Sequence, residues 1–318
     1  MNEKIAVFDL HCDTVLACLK QGAELKRNHL QLDLERGLET AERWIQTLAF
    51  FIDDCYRGED AWNHFFDQYR LMRRFLEENS EAIRLWSPTS FPTDPCCQAM
   101  LSVEGGAVLG GKLERIGELY RLGVAMMTLV WNGENELGSG IDGCGEGLTA
   151  FGKNAVREME QNGMVVDVSH LNDAGFYDVE RLAKKPFAAT HSNARSLCAH
   201  PRNLTDEQIR CIIDRRGLIG LNFYPLFVNG GQEYAIDELI RHAEHILSLG
   251  GERILALGSD FDGADMPAAI PDIKGLENLY QSMIKYFGTE ITKDVFFGNA
   301  AEFFRRVTRR KGKKENVL

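Results

Sequence analysis

The sequence predicts an α/β protein folded as a (β/α)8 barrel, in which parallel strands alternate with helices. Eight short apolar runs of strand length recur along the 318 residues, and amphipathic stretches of helix length separate most of them. The runs are rich in Val, Ile, Leu and Phe, as is typical of strands buried on both faces. Because such a barrel fills about 200 to over 400 residues as one domain, residues 1–318 are expected to form a single barrel domain. A doubly wound open sheet is the alternative.

Each element is assigned from its local pattern. Thr205 and Gln208 form a capping-box pattern at the start of one helix, and Gly163, Gly217 and Gly250 stand where helices are expected to end. The predicted strands, from IAVFDL to ILALG, are 5–10, 44–52, 98–103, 125–130, 164–168, 187–190, 218–223 and 254–258. The clearest predicted helices are 59–79, 112–122, 149–162, 172–184, 205–215, 235–249 and 290–307.

Composition and charge exclude several classes of protein. A hydrophobic content of 44% and a charged content of 26% are ordinary for a globular chain and rule out a disordered, collagenous or coiled-coil protein. The net charge is −11, and a basic tail at about 305–318 holds seven basic residues and one acidic residue. Residues 1–304 therefore carry 29 basic against 46 acidic residues, which argues against nucleic-acid or anionic-membrane partners. The tail is interpreted as a solvated helix end, with an interaction tail as the alternative.

The cysteines and the N-terminal sequence predict a cytoplasmic protein. Eight cysteines, including the adjacent Cys96 and Cys97, show neither CxxC nor paired zinc-ligand spacing, so they are interpreted as reduced thiols. The first residues, MNEKIAVFDL, lack the basic and long apolar regions of a secretory signal. No stretch approaches the roughly 18 apolar residues of a membrane span, so no membrane partner is expected.

Metal-binding types of side chain follow the ends of five predicted strands. The active site of a (β/α)8 barrel lies at the carboxyl ends of its strands, so these side chains are expected to converge. Residues i and i+2 of a strand face the same side, which directs both members of the His-x-Asp pair into the barrel mouth. Imidazole and carboxylate groups suit Zn²⁺, and six of them favour two metal ions with a bridging carboxylate. The six candidates are His11, Asp13, Glu104, His170, His191 and Asp260.

Other motifs carry weaker signals. The sequence GxGxxG at 138–143 matches a dinucleotide fingerprint, but residues 131–137 separate it from the preceding strand, so it is interpreted as a loop. A Rossmann-type oxidoreductase remains the fallback if the barrel prediction fails. Cys12 alternates away from its neighbours in the His-x-Asp pair and is expected to pack rather than to react. Four histidines in loops or helices are assigned structural roles: His29, His64, His242 and His245.

Taken together, the motifs resemble the membrane (renal) dipeptidase family of the amidohydrolase superfamily. The resemblance is to a bacterial-type member of that family. The matching sequences occur in family order across residues 8–263, and 21 residues separate His170 from His191. Each motif alone is modest, whereas the ordered set is specific. The motifs are FDLHCDT at 8–14, SVEGG at 102–106, VDVSH at 166–170, THSNARSLCAHPRN at 190–203, NFY at 222–224 and GSDFDG at 258–263.

The resemblance implies a binuclear zinc centre within the barrel. His11 and Asp13 would bind one Zn²⁺, His170 and His191 would bind the other, and Glu104 would bridge the two ions. A hydroxide shared by the ions would be the nucleophile, because water between two Zn²⁺ ions has a lowered pKa.

The resemblance also implies roles around the reacting bond. Asp260 would accept the proton of the attacking water and return it to the leaving amine. Arg202 would hold the terminal carboxylate of the substrate, which matches the planar guanidinium group. Trp131 stands where better-known family members carry a histidine just after strand 4, so oxyanion stabilisation, substrate size and rate are expected to differ. The further candidate substrate contacts are Asn132, Tyr224 and Asp262.

These implications predict a zinc-dependent dipeptidase. Its substrates would be dipeptides with a free C-terminal carboxylate, including those with a D-residue at that end, and the protein would form a homodimer as family members often do. Two alternatives stay open at this point. One is another binuclear metallohydrolase, acting on an N-acyl amino acid, a lactam or a phosphoester. The other is a metal-binding barrel without catalytic activity.

Overall fold

Eight parallel strands close into a barrel in the computed structural model, which describes residues 4–87 and 95–308. β1 pairs with β2 on one side and with β9 on the other, and the pairing of β2 with β4 completes the ring. The (β/α)8 prediction is therefore confirmed, and the open sheet is wrong. The strands are β1 Ile5–Asp9, β2 Ala41–Phe51, β3 Ile83–Leu85, β4 Cys97–Glu104, β5 Val124–Thr128, β6 Val165–Asp167, β7 Ala188–Ala189, β8 Leu218–Leu221 and β9 Leu255–Leu257.

All eight predicted strands have a counterpart in the ring. The short β3 is additional and pairs only with the start of β4, where Ile83 lies opposite Cys97. Its three residues show one buried and two exposed positions, which is too short a pattern to predict a strand.

Helices surround the ring. The capping box is present, because Gln208 N–H donates to Thr205 Oγ1 over 3.2 Å and Thr205 N–H donates to Gln208 Oε1 over 2.8 Å. Gly163 ends its helix with a left-handed φ of 87°, whereas after α7 the left-handed residue is Arg216 rather than Gly217. The helices are α1 Thr14–Gln21, α2 Leu34–Thr40, α3 Gly58–Glu78, α4 Glu114–Arg121, α5 Ala150–Asn162, α6 Asp173–Leu182, α7 Asp206–Asp214, α8 Pro225–Val228, α9 Ile236–Ser248, α10 Leu276–Lys293 and α11 Asn299–Val307.

The predicted helix at 290–307 is divided in the structure. It comprises the end of α10, a π-helix at Asp294–Gly298 and α11. Of the predicted basic tail at 305–318, the last ten residues lie outside the described part of the chain. Within residues 4–87 and 95–308, the helices are too short or too polar for any of them to cross a membrane.

The end of the barrel opposite the strand carboxyl ends is closed by the C-terminal helices. Asn299 donates through Nδ2 to the carbonyl oxygen of Leu255, at the start of β9, over 2.8 Å. Phe304 is fully buried and stacks on Phe8 of β1 with ring centroids 5.4 Å apart. Because this end is filled by aromatic packing, the other end is left for the functional site.

Phe304→Ala is expected to lower the free energy of unfolding by about 3–5 kcal/mol, because it opens a cavity beneath the barrel. Urea denaturation would measure the loss. Tyr286→Ala is the matched control, since Tyr286 is 54% exposed on α10, and its cost should stay within about 0.5 kcal/mol. Equal midpoints for the two variants would contradict the closing role of Phe304.

Candidate metal centre and active site

The carboxyl ends of the strands bring the six predicted metal-type residues together. Four of them line one cavity of about 890 Å³: Asp13, Glu104, His170 and Asp260. Glu104 is the last residue of β4, and the other five of the six follow β1, β6, β7 and β9. An isolated parallel bridge between Cys12 and Phe261 continues the pairing of β1 with β9 beyond the ends of both strands. It keeps His11 and Asp13 close to Asp260. The side-chain convergence expected from the barrel is therefore observed.

Glu104 lies between the two pairs of ligand-type residues. Its Oε2 is 3.5 Å from His11 Nε2, and its Oε1 is 2.8 Å from His170 Nε2 and 3.4 Å from His191 Nε2. His11 Nε2 is also 3.2 Å from Asp13 Oδ2. Each oxygen of Glu104 thus faces a different pair, as a bridging carboxylate requires.

The carboxylate side of the cluster favours positive charge. Burial lowers the pKa of His11, but the nearby Glu104 and Asp13 carboxylates outweigh it and raise that pKa well above its ordinary value. Burial raises the pKa of Asp13 to about 7. Burial also opposes ionisation of Glu104, yet the imidazoles of His11 and His170 hold its pKa well below the usual range. A cation between these groups, whether a proton or a metal ion, is therefore stabilised.

The histidine side of the cluster offers unprotonated nitrogens. Burial and the Arg202 cation lower the pKa of His170 to about 4, and burial and the neighbouring His11 lower the pKa of His191 well below its ordinary value. His170 Nδ1 hydrogen-bonds with Asn132 Oδ1 over 2.8 Å. Asn132 can only accept through this oxygen, so Nδ1 carries the proton and Nε2 presents a lone pair.

The donor set fits metal ions. The Nε2 atoms of His170 and His191 lie 3.0 Å apart, and both face Glu104 Oε1, so two imidazole nitrogens and a carboxylate oxygen meet at one point. Asp13 Oδ1 is buried and has no hydrogen-bond partner within the described residues. Such atoms are costly to bury unless a cation satisfies them. Nitrogen and oxygen donors of this kind suit Zn²⁺ and related first-row metals.

Asp260 stands beside the cluster in a strained backbone conformation. Its φ is 66°, and His170 has a φ of 68°, in the left-handed region that costs a residue other than glycine about 1–3 kcal/mol. Asp260 Oδ1 is 3.8 Å from His11 Nε2, while Asn222 donates through Nδ2 to Asp260 Oδ2 over 3.0 Å. Burial raises the pKa of the Asp260 carboxyl group. Asn222 thus holds the carboxylate in place. Asp260 lines the cavity, and its Oδ1 accepts no hydrogen bond from the described residues.

Arg202 is a buried cation without a carboxylate partner. It is 4% exposed and lines the cavity, and within residues 4–87 and 95–308 no carboxylate oxygen lies within 4.0 Å of its guanidinium group. Its Nη2 donates to the carbonyl oxygen of His191 over 3.3 Å, whereas its buried Nε finds no acceptor among the described residues. Burial lowers the pKa of Arg202, because the guanidinium group is removed from water. An anion in the cavity would compensate for this lost hydration and would therefore be strongly attracted.

The remaining predicted contacts differ in what they touch. Trp131 and Tyr224 both line the cavity, and Trp131 meets Phe51 edge to face with ring centroids 4.9 Å apart. Asn132 holds His170, as described above. Asp262 accepts from Thr14 Oγ1 over 2.6 Å and from the Gln31 backbone N–H over 2.7 Å, so both of its oxygens are used within the protein.

Several supporting residues were not singled out in the sequence. Asn222 orients Asp260, and Thr190 contacts His191 Nδ1 over 2.8 Å. Asp9 is buried and accepts from Ser259 Oγ over 2.6 Å, just before Asp260. The signal available for Asp9 was a carboxylate at a strand end, but its direction in the barrel is set by contacts that the sequence does not display.

Comparisons with known proteins place this geometry in a family. The sequence profile described as membrane dipeptidase, peptidase family M19, matches residues 1–316. A metallo peptidase from Rhodobacter sphaeroides, solved with a phosphinate mimic of the dipeptide L-Ala-D-Ala, is 27% identical with a TM-score of 0.90, covering 96% of this chain and 100% of that one. The structure of dipeptidase AC, of family M19, is 28% identical with a TM-score of 0.90, covering 96% and 99%.

A curated relative is similar to this chain at the level of sequence. The protein encoded in the pqqA 5′ region of Klebsiella pneumoniae is 36% identical over 192 residues, which are 57% of this chain and 71% of that protein. The family profile covers nearly the whole chain, and both solved structures share its fold over almost their full length. The chain therefore belongs to the membrane dipeptidase family, peptidase family M19, and is a metallo-dipeptidase.

Proposed function

We propose that the enzyme hydrolyses dipeptides with a free C-terminal carboxylate, including those with a D-residue at that end, and that two Zn²⁺ ions are its cofactors. The observation that carries the proposal is the buried Arg202, which has no carboxylate partner among the described residues and lines the same cavity as the metal-type cluster. A fixed cation at a short distance from a hydrolytic centre suits a small substrate with a terminal anion. The Rhodobacter sphaeroides relative, which holds a mimic of L-Ala-D-Ala, supports this substrate class.

The proposed ligand sets follow the two halves of the cluster. His11 and Asp13 would hold one ion, His170 and His191 would hold the other, and Glu104 would be shared between them. When bound, the ions would lower the pKa of water and polarise the amide carbonyl. Neutral His170 and His191 are already in the protonation state that ligation requires.

The protein groups would then position the substrate and move the proton. The Arg202 guanidinium would bind the terminal carboxylate with two hydrogen bonds and so fix the scissile amide over the cluster. Asp260, steadied by Asn222, would accept a proton from the attacking water and deliver it to the departing amine nitrogen. Its raised pKa favours the delivery step.

Hydrolysis of L-Ala-D-Ala and L-Ala-L-Ala by the zinc-loaded enzyme tests the proposal. Both cleavage reactions should occur, should stop after treatment with EDTA, and should return when Zn²⁺ is added back. The ratio of the two rates measures the tolerance for a D-residue. Turnover that survives complete removal of metal would exclude the metal mechanism.

N-acetyl-D-alanine is the matched comparison substrate, because it keeps the carboxylate and lacks the free amine. The dipeptides should be the better substrates. Cleavage of N-acetyl-D-alanine with no cleavage of either dipeptide would move the substrate class to N-acyl amino acids. Zinc binding without turnover of any of the three would contradict the proposed reaction while leaving the metal centre intact.

A further inference from the structure

We propose that Asp167 is a positioning residue that acts through Thr190 to fix the tautomer of His191, so that Nε2 of this histidine is unprotonated toward the cluster. The inference rests on the proposed metal centre for its purpose, but the tautomer itself is a property of the chain. Asp167 does not touch the cavity, and it is the last residue of β6, 1% exposed.

Asp167 receives four hydrogen bonds within the barrel. Its Oδ1 accepts from the backbone N–H groups of Ser169 and Thr190, each over 3.0 Å. Its Oδ2 accepts from the hydroxyl groups of Thr128 and Thr190, each over 2.6 Å. Four donors around two oxygens are the full complement of a carboxylate, and the two short bonds are typical of charge-assisted hydroxyl contacts.

The direction of the next hydrogen bond follows from the single proton of the Thr190 hydroxyl. That proton is given to Asp167 Oδ2, because a carboxylate oxygen can only accept. Thr190 Oγ1 also lies 2.8 Å from His191 Nδ1, and toward this atom it can therefore act only as an acceptor. The Ser169 hydroxyl, 3.3 Å from Thr190 Oγ1, can donate to the same oxygen without changing this direction.

His191 must then carry its proton on Nδ1. Its Nε2 presents a lone pair at 3.4 Å from Glu104 Oε1 and 3.0 Å from His170 Nε2, where the proposed ion would bind. A partner on the far nitrogen of a ligating histidine commonly fixes its tautomer and raises its affinity for the metal. Asp167 thus determines, through the Thr190 hydroxyl, which ring nitrogen of His191 carries the proton.

Asp167→Asn keeps the shape of the side chain but reverses the direction of the hydrogen bonds that link this residue, through Thr190, to His191. The amide oxygen can keep the two backbone N–H groups, which leaves the amide NH₂ facing the hydroxyl groups of Thr128 and Thr190. Thr190 would then accept from the amide and donate to His191 Nδ1. We expect the other tautomer, with Nε2 protonated, in the metal-free protein.

Two measurements test this on the purified full chain. ¹⁵N NMR of the EDTA-treated protein reports which histidine nitrogen is protonated, with the His191 signals assigned from a His191→Gln variant. Competition with a chromophoric chelator reports the affinity for Zn²⁺. Asp167→Asn should switch the His191 pattern and weaken binding of the Zn²⁺ ion that His191 would hold by about 10- to 100-fold.

Thr128→Val is the control, because Thr128 donates to the same oxygen of Asp167 but does not contact His191. It should keep the wild-type tautomer and Zn²⁺ affinity. Thr190→Ser, which retains the hydroxyl group, should behave as wild type, whereas Thr190→Val should lose the single fixed tautomer. This pair keeps the inference testable if Asp167→Asn fails to fold.

A wild-type His191 pattern in folded Asp167→Asn or Thr190→Val would overturn the inference. Equal loss of Zn²⁺ affinity in Thr128→Val and Asp167→Asn would also overturn it, since packing alone would then explain the effect. Failure of the proposed function is a distinct result: the wild-type protein would bind no Zn²⁺ while its NMR spectrum still reported the tautomer.

Discussion

Asp260→Asn is expected to lower kcat for L-Ala-D-Ala roughly 10²- to 10⁴-fold, because the variant keeps the shape of the side chain and removes its ability to carry a proton. The amide can still accept from Asn222 Nδ2, which holds Asp260 over 3.0 Å. The fold and the bound metal should therefore persist. Steady-state kinetics with metal analysis of the same preparation would measure both outcomes.

The metal analysis separates two roles that the geometry allows for Asp260. Donor atoms of Asp260, His11 and His191 all lie within 4.8 Å of one another, so Asp260 could itself ligate an ion. A proton carrier loses rate and keeps the metal when it becomes an amide. Loss of zinc in step with activity would contradict the acid/base role and make Asp260 a ligand.

Asp67→Asn on α3 is the control for the change of charge. Asp67 pairs with Arg70 over 2.8 Å on the protein surface, and neither residue lines the cavity. This variant should retain wild-type kcat. A fall in both variants would indicate a general effect of net charge rather than the chemistry of Asp260.

The fold was predictable because parallel strands buried on both faces appear as unbroken apolar runs. The eight runs match the eight strands of the ring, and the amphipathic stretches match α3 to α7 and α9. Of the 18-residue α10, only residues 290–293 fall within a predicted helix. The helices α1, α2 and α8 were not predicted. Each is short. Helix α2 begins where the Asp33 carboxylate accepts from the Arg36 backbone N–H over 2.8 Å, and its seven residues are too few to show a long apolar pattern.

The site was predictable in its ligand types but not in its supporting contacts. Histidine and carboxylate residues at successive strand ends are visible in the sequence, since strand ends meet at one face of a barrel. Asp9 and Asp13 flank His11 at similar positions, yet Asp9 is bound by Gln46 Nε2 over 2.7 Å and Asp13 faces His11. Their different roles depend on β2 and on the segment after β9, which are distant in the sequence.

Trp131 illustrates what a single substitution changes in such a site. The indole lies 6.4 Å from the His170 ring, measured between ring centroids, and packs edge to face on Phe51. An indole N–H can donate a hydrogen bond but cannot gain a charge. The wall beside His170 is therefore apolar and aromatic, where a histidine would offer a titratable donor. In the proposed reaction, stabilisation of a developing negative charge would then depend more heavily on the metal ions.

Arg202→Met is expected to lower kcat/KM for L-Ala-D-Ala by about 10²- to 10³-fold, since losing one partner of a buried charge pair costs roughly 2–5 kcal/mol. The same substrate with a C-terminal amide is the comparison, because it has no carboxylate to bind. The wild-type enzyme should cleave this amide poorly, and Arg202→Met should alter that rate only slightly. An equal loss on both substrates would contradict the anchoring role of Arg202.

The effect of Arg202→Met on stability gives an independent test of the same assignment. A buried cation without a carboxylate partner among the described residues is costly in the free enzyme, so methionine should leave the free energy of unfolding unchanged or higher. Arg215 follows α7 and does not line the cavity, and it donates to the Ala183 carbonyl oxygen over 2.7 Å and to Glu180 Oε1 over 3.1 Å. Arg215→Met should therefore reduce stability and preserve kcat/KM, the opposite pattern. A residue whose removal costs catalysis but not stability is held in the fold for its ligand, and that is the behaviour expected of Arg202.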